Sequence, residues 1–526
     1  MARLTIDGQV IEVPDGTRLF DACTLARGEA LPHFCYHPDL SIAGVCRLCQ
    51  VEIEGAPKLT IACNTAVKDG MVVLTRSPRV QAAATAILEM HLINHPVDCP
   101  ICDQAGECGL QDQYMVYGLY ESDVAKRDKV LKRKAEPIGP HVILDKERCV
   151  LCSRCVRFCA EITKTGELGI LQRGDRAEIA VAPGRELDNP YSLNTVDICP
   201  VGALTSRDFR FRKRVWLLRS VASVCPGCAT GCNVRVDHEG GRVWRLRPRR
   251  NDDVNGPWMC DRGRLEYKRL HADDRLTQPL ARRDGALRPV EWREAWAELE
   301  RLVRPGGVAL ALANPHQTVE ELLLLRRLGE LLGGPEAVYG GVAGTDRGAG
   351  DDLLIDGDRA PNRAALGWLG LREAPADELA ARLGAGRTAV VYGGDPAAAS
   401  PRLAAALAEG ALIYLGTARG ATAEAAALVL PLAMWAEKDG LLANRQGRLQ
   451  ALRAAIVRPG AAREDWRVLA EWLARLGAPN SPPTLAALRG EVAAALGLPA
   501  GTDLNALPAT GLVAGPGAGA PAAGGR

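Results

Sequence analysis

Four groups of cysteines crowd the first half of this 526-residue chain, and the second half has none. Cys35, Cys46, Cys49 and Cys63 make the first group, and Cys99, Cys102 and Cys108, with His95 just before them, make the second. The third is Cys149, Cys152, Cys155 and a distant Cys199; the fourth is Cys225, Cys228, Cys232 and Cys260. A thiolate is a soft ligand that selects zinc, copper(I) or iron–sulfur clusters, and C-x2-C spacing lets two sulfurs from one tight turn reach one metal unit. Four such groups in one chain indicate a row of clusters, and a row of clusters moves electrons.

Disulfides and zinc are the competing readings. The chain opens on an alternating strand, Ala2-Arg3-Leu4-Thr5-Ile6, with no charged segment followed by an apolar one, so a reducing compartment is expected. There, patterned thiols are metal ligands more often than bridges, and a total of 17 cysteines fits poorly with full pairing. Zinc competes at any one group, but C-x2-C-x2-C spaces three ligands too evenly for paired zinc knuckles and matches cubane ligation. The net charge of +2 excludes a global field for nucleic acid or membrane surface, and Arg210–Arg214 reads as a solvated face. The longest apolar stretch, Ala425–Ala436, is too short to span a bilayer and contains Pro431. Composition shifts near residue 275: all 17 cysteines and seven of the eight histidines precede it. Residues 508–526, rich in Ala, Gly and Pro, read as a disordered tail.

Residues 1–80 read as short strands, a turn at Asp7-Gly8 and a helix over Arg18–Arg27, the ubiquitin-like layout of [2Fe–2S] ferredoxins. Ten residues separate Cys35 from Cys46, where the plant-type loop has four. Ser41 and Gly44 are expected to offer small side chains and N–H groups to cluster sulfide, and Cys23, on the helix, reads as buried packing. Val80, Ala84, Ile87, Leu88 and His91 recur at helical spacing over 79–94. His95 then stands four residues before a C-x2-C-x5-C that otherwise has three ligands. A neutral imidazole in place of a thiolate removes a negative charge and raises a cluster's potential. His91 is the rival fourth ligand; Pro96 favours His95 by holding it in the ligand loop.

The string from His95 to Cys108, followed by Leu110-Gln111-Asp112, closely resembles the family of large iron–sulfur subunits (G subunits) of bacterial NADH–quinone oxidoreductase, respiratory complex I. The resemblance is specific to about residue 275 and looser to about 475. Cys149-Val150-Leu151-Cys152-Ser153-Arg154-Cys155 looks like half of a two-cluster ferredoxin, and Cys199-Pro200 like its closing half, so the cubane takes Cys149, Cys152, Cys155 and Cys199. Cys159 is no ligand in the family and reads as a buried free thiol. The fourth group resembles the iron–sulfur entry domain of molybdopterin oxidoreductases, and the family places such a cubane off the main electron path. Strands at Val308–Leu312, Thr388–Tyr392 and Leu412–Gly416, with a capping box at Thr318 and Glu321, indicate a doubly wound α/β layer. This half has no cysteine to hold molybdenum and no convincing dinucleotide fingerprint, so it reads as a degenerate scaffold.

The expected fold is multidomain α+β and α/β. It comprises a [2Fe–2S] ferredoxin-like domain (1–80), a helical [4Fe–4S] segment with one histidine and three cysteine ligands (81–120) and a [4Fe–4S] ferredoxin-like domain (140–210). A molybdopterin-oxidoreductase-type [4Fe–4S] domain (218–275) and a truncated, degenerate relative of that fold (276–495) follow. The resemblance implies one [2Fe–2S] and three [4Fe–4S] clusters, no molybdenum cofactor, and no catalytic side chain. It implies a relay subunit of a proton-translocating NADH dehydrogenase that passes electrons from a flavin/NADH-binding partner towards quinone. The place implied is peripheral, on the cytoplasmic side of the inner membrane, reached only through partner subunits. The rivals are the large subunit of an NAD-linked formate dehydrogenase, a cluster subunit of an NAD-reducing hydrogenase, and a nucleic-acid protein whose clusters only hold its fold.

Overall fold

The structure does not divide where the composition shifts. The computed structural model describes residues 1–121, 124–304, 307–383, 386–478 and 481–514. It has two units, Met1–Leu218 and a second beginning at Arg219. The fourth cysteine group therefore belongs with the cysteine-free half, because residues 219–275 pack into the same body as the large sheet.

In the first unit, strands β1 (Ala2–Ile6) and β2 (Gln9–Val13) form a hairpin whose turn, Asp7-Gly8, has positive φ at both residues. That is the twist a two-residue hairpin needs. A five-stranded sheet of order β2-β1-β5-β3-β4 adds β3 (Gln50–Ile53), β4 (Thr60–Ile61) and β5 (Val72–Leu74), with β1 and β5 parallel. Helix α1 (Leu19–Arg27) buries Leu19, Phe20, Ala22 and Cys23 into the same core as Leu4, Ile6, Val51 and Val73. Helix α2 (Pro78–Leu92) starts where Ser77 Oγ accepts the Val80 N–H, with proline in its first turn, and buries Val80, Ala84, Leu88 and Leu92, one every fourth residue. After α3 (Gly109–Tyr117), β6 (Glu136–Pro137), β7 (Val142–Leu144) and β10 (Leu204–Ser206) form a small sheet. Between β7 and β10 lie α4 (Arg154–Arg157), a π-helical turn (Phe158–Ile162), a hairpin of β8 (Leu168–Leu171) and β9 (Glu178–Val181), and α5 (Asn194–Ile198).

The second unit opens with an antiparallel meander of β11 (Arg219–Val224), β12 (Asn233–Glu239) and β13 (Arg242–Pro248), then α6 (Asp261–Leu265). Its main sheet has seven strands in the order β15-β14-β22-β21-β20-β16-β17. The strands β16 (Val308–Leu312), β17 (Val338–Tyr339), β20 (Thr388–Tyr392), β21 (Leu412–Gly416) and β22 (Leu428–Pro431) run parallel, and β14 (Leu280–Arg283) and β15 (Ala286–Pro289) antiparallel at one edge. Successive residues alternate between two cores: Val390, Tyr392, Ile413 and Leu415 face one, and Ala389, Val391, Leu412 and Tyr414 the other. Period-two packing with both faces buried is the mark of a doubly wound sheet. Helix α7 (Trp292–Leu302) precedes β16, and α8 (Val319–Gly333) follows it behind the expected capping box, Thr318 N–H to Glu321 carboxylate (2.9 Å) and Glu321 N–H to Thr318 Oγ1 (3.4 Å). Residues 508–514, expected as the start of a disordered tail, are ordered because Leu512–Val513 pairs with Arg448–Leu449; the rest of that expected tail lies outside the described residues.

Candidate metal centres

All 17 cysteines are free thiols. In the first group Cys35, Cys46, Cys49 and Cys63 are each buried. Left-handed backbone at Gly44 and Arg47 curls the loop around Cys46. The Cys46 thiol, then the N–H groups of Cys46 and Val45, hydrogen-bond the Cys35 sulfur and lower its pKa, while the same pairing pushes Cys46 up. Cys49 and Cys63 pair likewise, with Cys63 the more acidic because the Cys49 thiol donates to it. Two adjacent sulfur pairs suit a unit of two irons that needs two thiolates on each. Ser41 does not serve as expected: its N–H (2.8 Å) and its hydroxyl both donate to Glu161.

In the second group, Cys99–Ile101 form a single tight turn, closed by the Cys102 N–H on the Cys99 carbonyl (3.1 Å), that places Cys102 beside Cys99. Burial pushes Cys102 up and raises Cys108 to about 11, and N–H groups of Gln111 and Leu110, at the start of α3, donate to the Cys108 sulfur. His95 is pushed down to about 4, by burial first, with Arg148, Lys129 and Lys134 adding to it and Asp98 opposing, so the ring is neutral, as a ligand must be. Arg148 and Asp98 act on Cys102 as well as on His95. His91 faces elsewhere: its Nε2 lies 3.1 Å from the Cys46 carbonyl and its ring meets Phe34 edge-on at 5.1 Å.

The third group closes over 50 residues of chain. Leu151 and Ser153 adopt positive φ, which turns the Leu151 N–H onto Cys149 Sγ (3.4 Å) and the Arg154 N–H onto Cys152. Cys199, at the end of α5, receives the N–H groups of Val201, Leu204 and Ala203. The four thiols act on one another and line one small cavity with Leu144, Ile179 and Ala203. Cys159 sits in the π-helical turn, raised to about 12 by burial first and then by the Glu167 carboxylate, to which its thiol hydrogen-bonds. Cys23 is likewise raised to about 12 by burial in the first core.

The fourth group, in the second unit, brings Cys225, Cys228, Cys232 and Cys260 around an enclosed cavity with Arg262 and Arg359. Gly263 donates its N–H to Cys260 Sγ (3.3 Å), and a Cβ there would stand 2.8 Å from Cys225 Sγ. Burial drives Cys225 and Cys232 well up and Cys260 to about 11. Neutral thiols like these release protons when metal binds, so the buried charge is neutralised as it forms. Among the described residues no three His, Cys, Asp or Glu side chains crowd one point as a single ion requires. The third and fourth sets each line a small space, as ligands of a multi-iron unit do.

The first three groups share one apolar core, in which Cys35, Cys46, Cys108 and Cys152 pack with Phe34, Leu48, Leu88 and Val201. Contacts run from first to third through Arg154 and Arg157, and from third to second through Pro200, whose carbonyl accepts the Gly109 N–H (2.9 Å) and lies 3.8 Å from Cys108 Sγ. Gly202 touches Cys102 so closely that a Cβ would stand 2.4 Å from its sulfur. Sequence reasoning missed these residues; arginines inside a cysteine motif and a glycine three residues past Cys199 were the available signals. The stretch 210–214 is partly exposed as expected, but half-buried Arg214 also donates to the carbonyls of Cys102 and Pro100 (2.6 Å each).

A cavity of about 520 Å³ in the second unit opens at the carboxyl ends of β16, β20 and β21, where the strand order reverses. Asn314, Gln317, Gly393 and Thr417 line it, and neither Cys nor Ser does among the described residues.

Models of five protein families match successive stretches of the chain. They are a 2Fe-2S iron-sulfur cluster binding domain (residues 1–78), the NADH-ubiquinone oxidoreductase-G iron-sulfur binding region (85–123), the ferredoxin-like domain of NADH-quinone oxidoreductase subunit 3 (139–205), the molybdopterin oxidoreductase Fe4S4 domain (218–272) and molybdopterin oxidoreductase (402–475). The NADH-quinone oxidoreductase G subunit of Rickettsia bellii is 41% identical over 336 residues, 63% of this chain and 49% of that protein. The mitochondrial NADH-ubiquinone oxidoreductase 78 kDa subunit of Neurospora crassa is 41% identical over 337 residues, 63% of this chain and 45% of that protein. A chain from the crystal structure of NAD+-reducing [NiFe]-hydrogenase in the H2-reduced state is 30% identical, covering 41% of this chain and 91% of that one, with a TM-score of 0.36. The chain spans about half the length of the curated relatives it matches.

Proposed function

From its homology to the G subunits of NADH–quinone oxidoreductases, we propose that this chain is the electron-relay subunit of such a complex. It takes single electrons from a flavin/NADH-binding partner and passes them towards quinone. Cys35, Cys46, Cys49 and Cys63 hold a [2Fe–2S] cluster in this reading. His95 with Cys99, Cys102 and Cys108, then Cys149, Cys152, Cys155 and Cys199, hold the two cubanes that continue the path. Cys225, Cys228, Cys232 and Cys260 hold a third cubane off it. The clusters supply the one-electron chemistry; the chain's residues hold, space and screen them.

The observation that carries the reading is the common core of the first three groups, in which sulfurs from residues 35 to 199 are packed in one unit. No described helix is long and apolar enough to cross a membrane, so membrane attachment in this reading is through partners. A cavity lining without Cys or Ser favours this reading over a molybdenum-dependent formate dehydrogenase.

Metal analysis tests it. Anaerobically purified protein should carry about 14 iron atoms with matching acid-labile sulfide, from one [2Fe–2S] and three [4Fe–4S] clusters. Stoichiometric molybdenum, tungsten or zinc would overturn the assignment.

A further inference from the structure

Two arginines of the third group reach back into the first. Arg157 Nη2 donates to the carbonyl of Cys35 (2.5 Å) and, more distantly, to that of Cys152 (3.4 Å). Its Nη1 donates to the Ser41 carbonyl and its Nε to Ser153 Oγ (3.2 Å). Arg154 donates to the carbonyls of Tyr36 (2.5 Å) and Ile198 (3.1 Å), the neighbours of Cys35 and Cys199. One guanidinium thus bonds the backbone of a candidate ligand residue from each group, and the other bonds the residues beside Cys35 and Cys199. A planar fork of donors can join two loops at fixed separation, which a flexible ammonium does not do. From the π-helical turn that follows, Glu161 accepts the Ser41 N–H (2.8 Å) and hydroxyl, tying the middle of the loop to the third-group segment as well. Arg154 Nε is buried with no partner, and the sulfurs that act on this guanidinium most strongly are those of Cys152, Cys199 and Cys35. A buried cationic N–H left without an acceptor is costly, and negative charge on those sulfurs would offset that cost.

We propose that Arg157, with Arg154 beside it, is a positioning residue of the relay: it fixes the first and third centres against each other and raises the reduction potential of both. Reduction adds negative charge to either centre, and a partly buried guanidinium stabilises that state more than the oxidised one. The inference rests on the relay function proposed above.

Redox titration of the full, cluster-loaded chain, followed by electron paramagnetic resonance, provides the test. Replacing Arg157 by glutamine should make reduction of the first-group and third-group clusters harder by about ten-fold, which is 59 mV for a one-electron couple. The fourth-group potential should stay where it is. Arg157→Lys keeps the charge and should recover most of the shift, which a purely structural role would not do. Both potentials unmoved in Arg157→Gln, with both spectra present, would overturn the proposal. If that variant loses the first-group cluster, Arg154→Gln carries the same test, and a third-group potential that does not fall overturns it. Absence of cluster spectra from the unaltered protein would instead overturn the relay reading itself, so the two failures are distinct.

Discussion

At the scale of single residues, ligands and bystanders differ in what their sulfur meets. Cys155 faces three other thiols of its group, whereas Cys159 hydrogen-bonds to Glu167 and Cys23 is sealed in an apolar core. Cys155→Ser should therefore remove one cubane signal, while Cys159→Ser and Cys23→Ser leave every cluster spectrum in place; loss of a cubane in Cys159→Ser would transfer the ligand role from Cys199. Gly202 gives a sharper test because only tertiary contact demands it. A methyl group there would meet Cys102 Sγ at 2.4 Å and Gln104 Cβ at 3.2 Å, with backbone fixed by the neighbouring Cys199 turn. Gly202→Ala should broaden or abolish the second-group signal and spare the first-group one, and an unchanged second-group spectrum would show that the loop yields at little cost. Cys155 could be read from spacing alone; Gly202 could not, because its partner lies 100 residues earlier.

At the scale of elements, the helix α8 cap is tied to a buried charge network. Lys438 Nζ lies 2.8 Å from Glu321 and 2.7 Å from Asp465, and Tyr392 donates to Asp465 (2.9 Å). Two buried carboxylates share one ammonium, so Glu321 is raised to about 7, by burial first and by Asp465 second. A carboxyl whose folded pKa exceeds its unfolded value contributes stability that is present at low pH and is lost as pH rises through the folded pKa. Stability of the second unit should thus carry a downward component between about pH 5 and pH 7. Asp465→Asn removes the like charge and should flatten that component, as read from denaturation midpoints across the range; an identical slope in both proteins would assign it to other groups. The capping box was legible in the sequence as Thr318 and Glu321 at the right spacing. Its coupling to Lys438 and Asp465 was not, because one arrives from a bend and the other from a helix start, both far along the chain.

At the scale of the whole molecule, the relay reading turns on whether the second group lies on the path. His95→Ala removes the one imidazole of that group, and His95→Cys replaces it with a thiolate whose negative charge should lower the cluster potential. Assayed with the flavin partner that the relay reading calls for, His95→Ala should slow quinone reduction more than ferricyanide reduction at the flavin. Equal loss of both would indicate failed assembly, and full quinone reduction with the cluster absent would take this site off the path. His91 makes a clean control, since it hydrogen-bonds to the Cys46 carbonyl rather than standing in the second loop.

Residue type and spacing were enough to read the chemistry: which residues are candidate soft ligands, how they divide into four groups, and that the strands of the second half form a doubly wound sheet. Those properties are local, fixed by residue type, by spacing within a turn and by period-two burial along a strand. Only the tertiary structure decided the order in space. The third group lies between the first and the second, because α4 carries arginines that bond the Cys35 loop while the Cys199 turn packs against Cys102 and Cys108. It also decided that the fourth group belongs with the cysteine-free half, where β11 to β13 and the large sheet form one unit. Both outcomes depend on which surfaces fit together across long stretches of chain, and no spacing in the sequence encodes that directly.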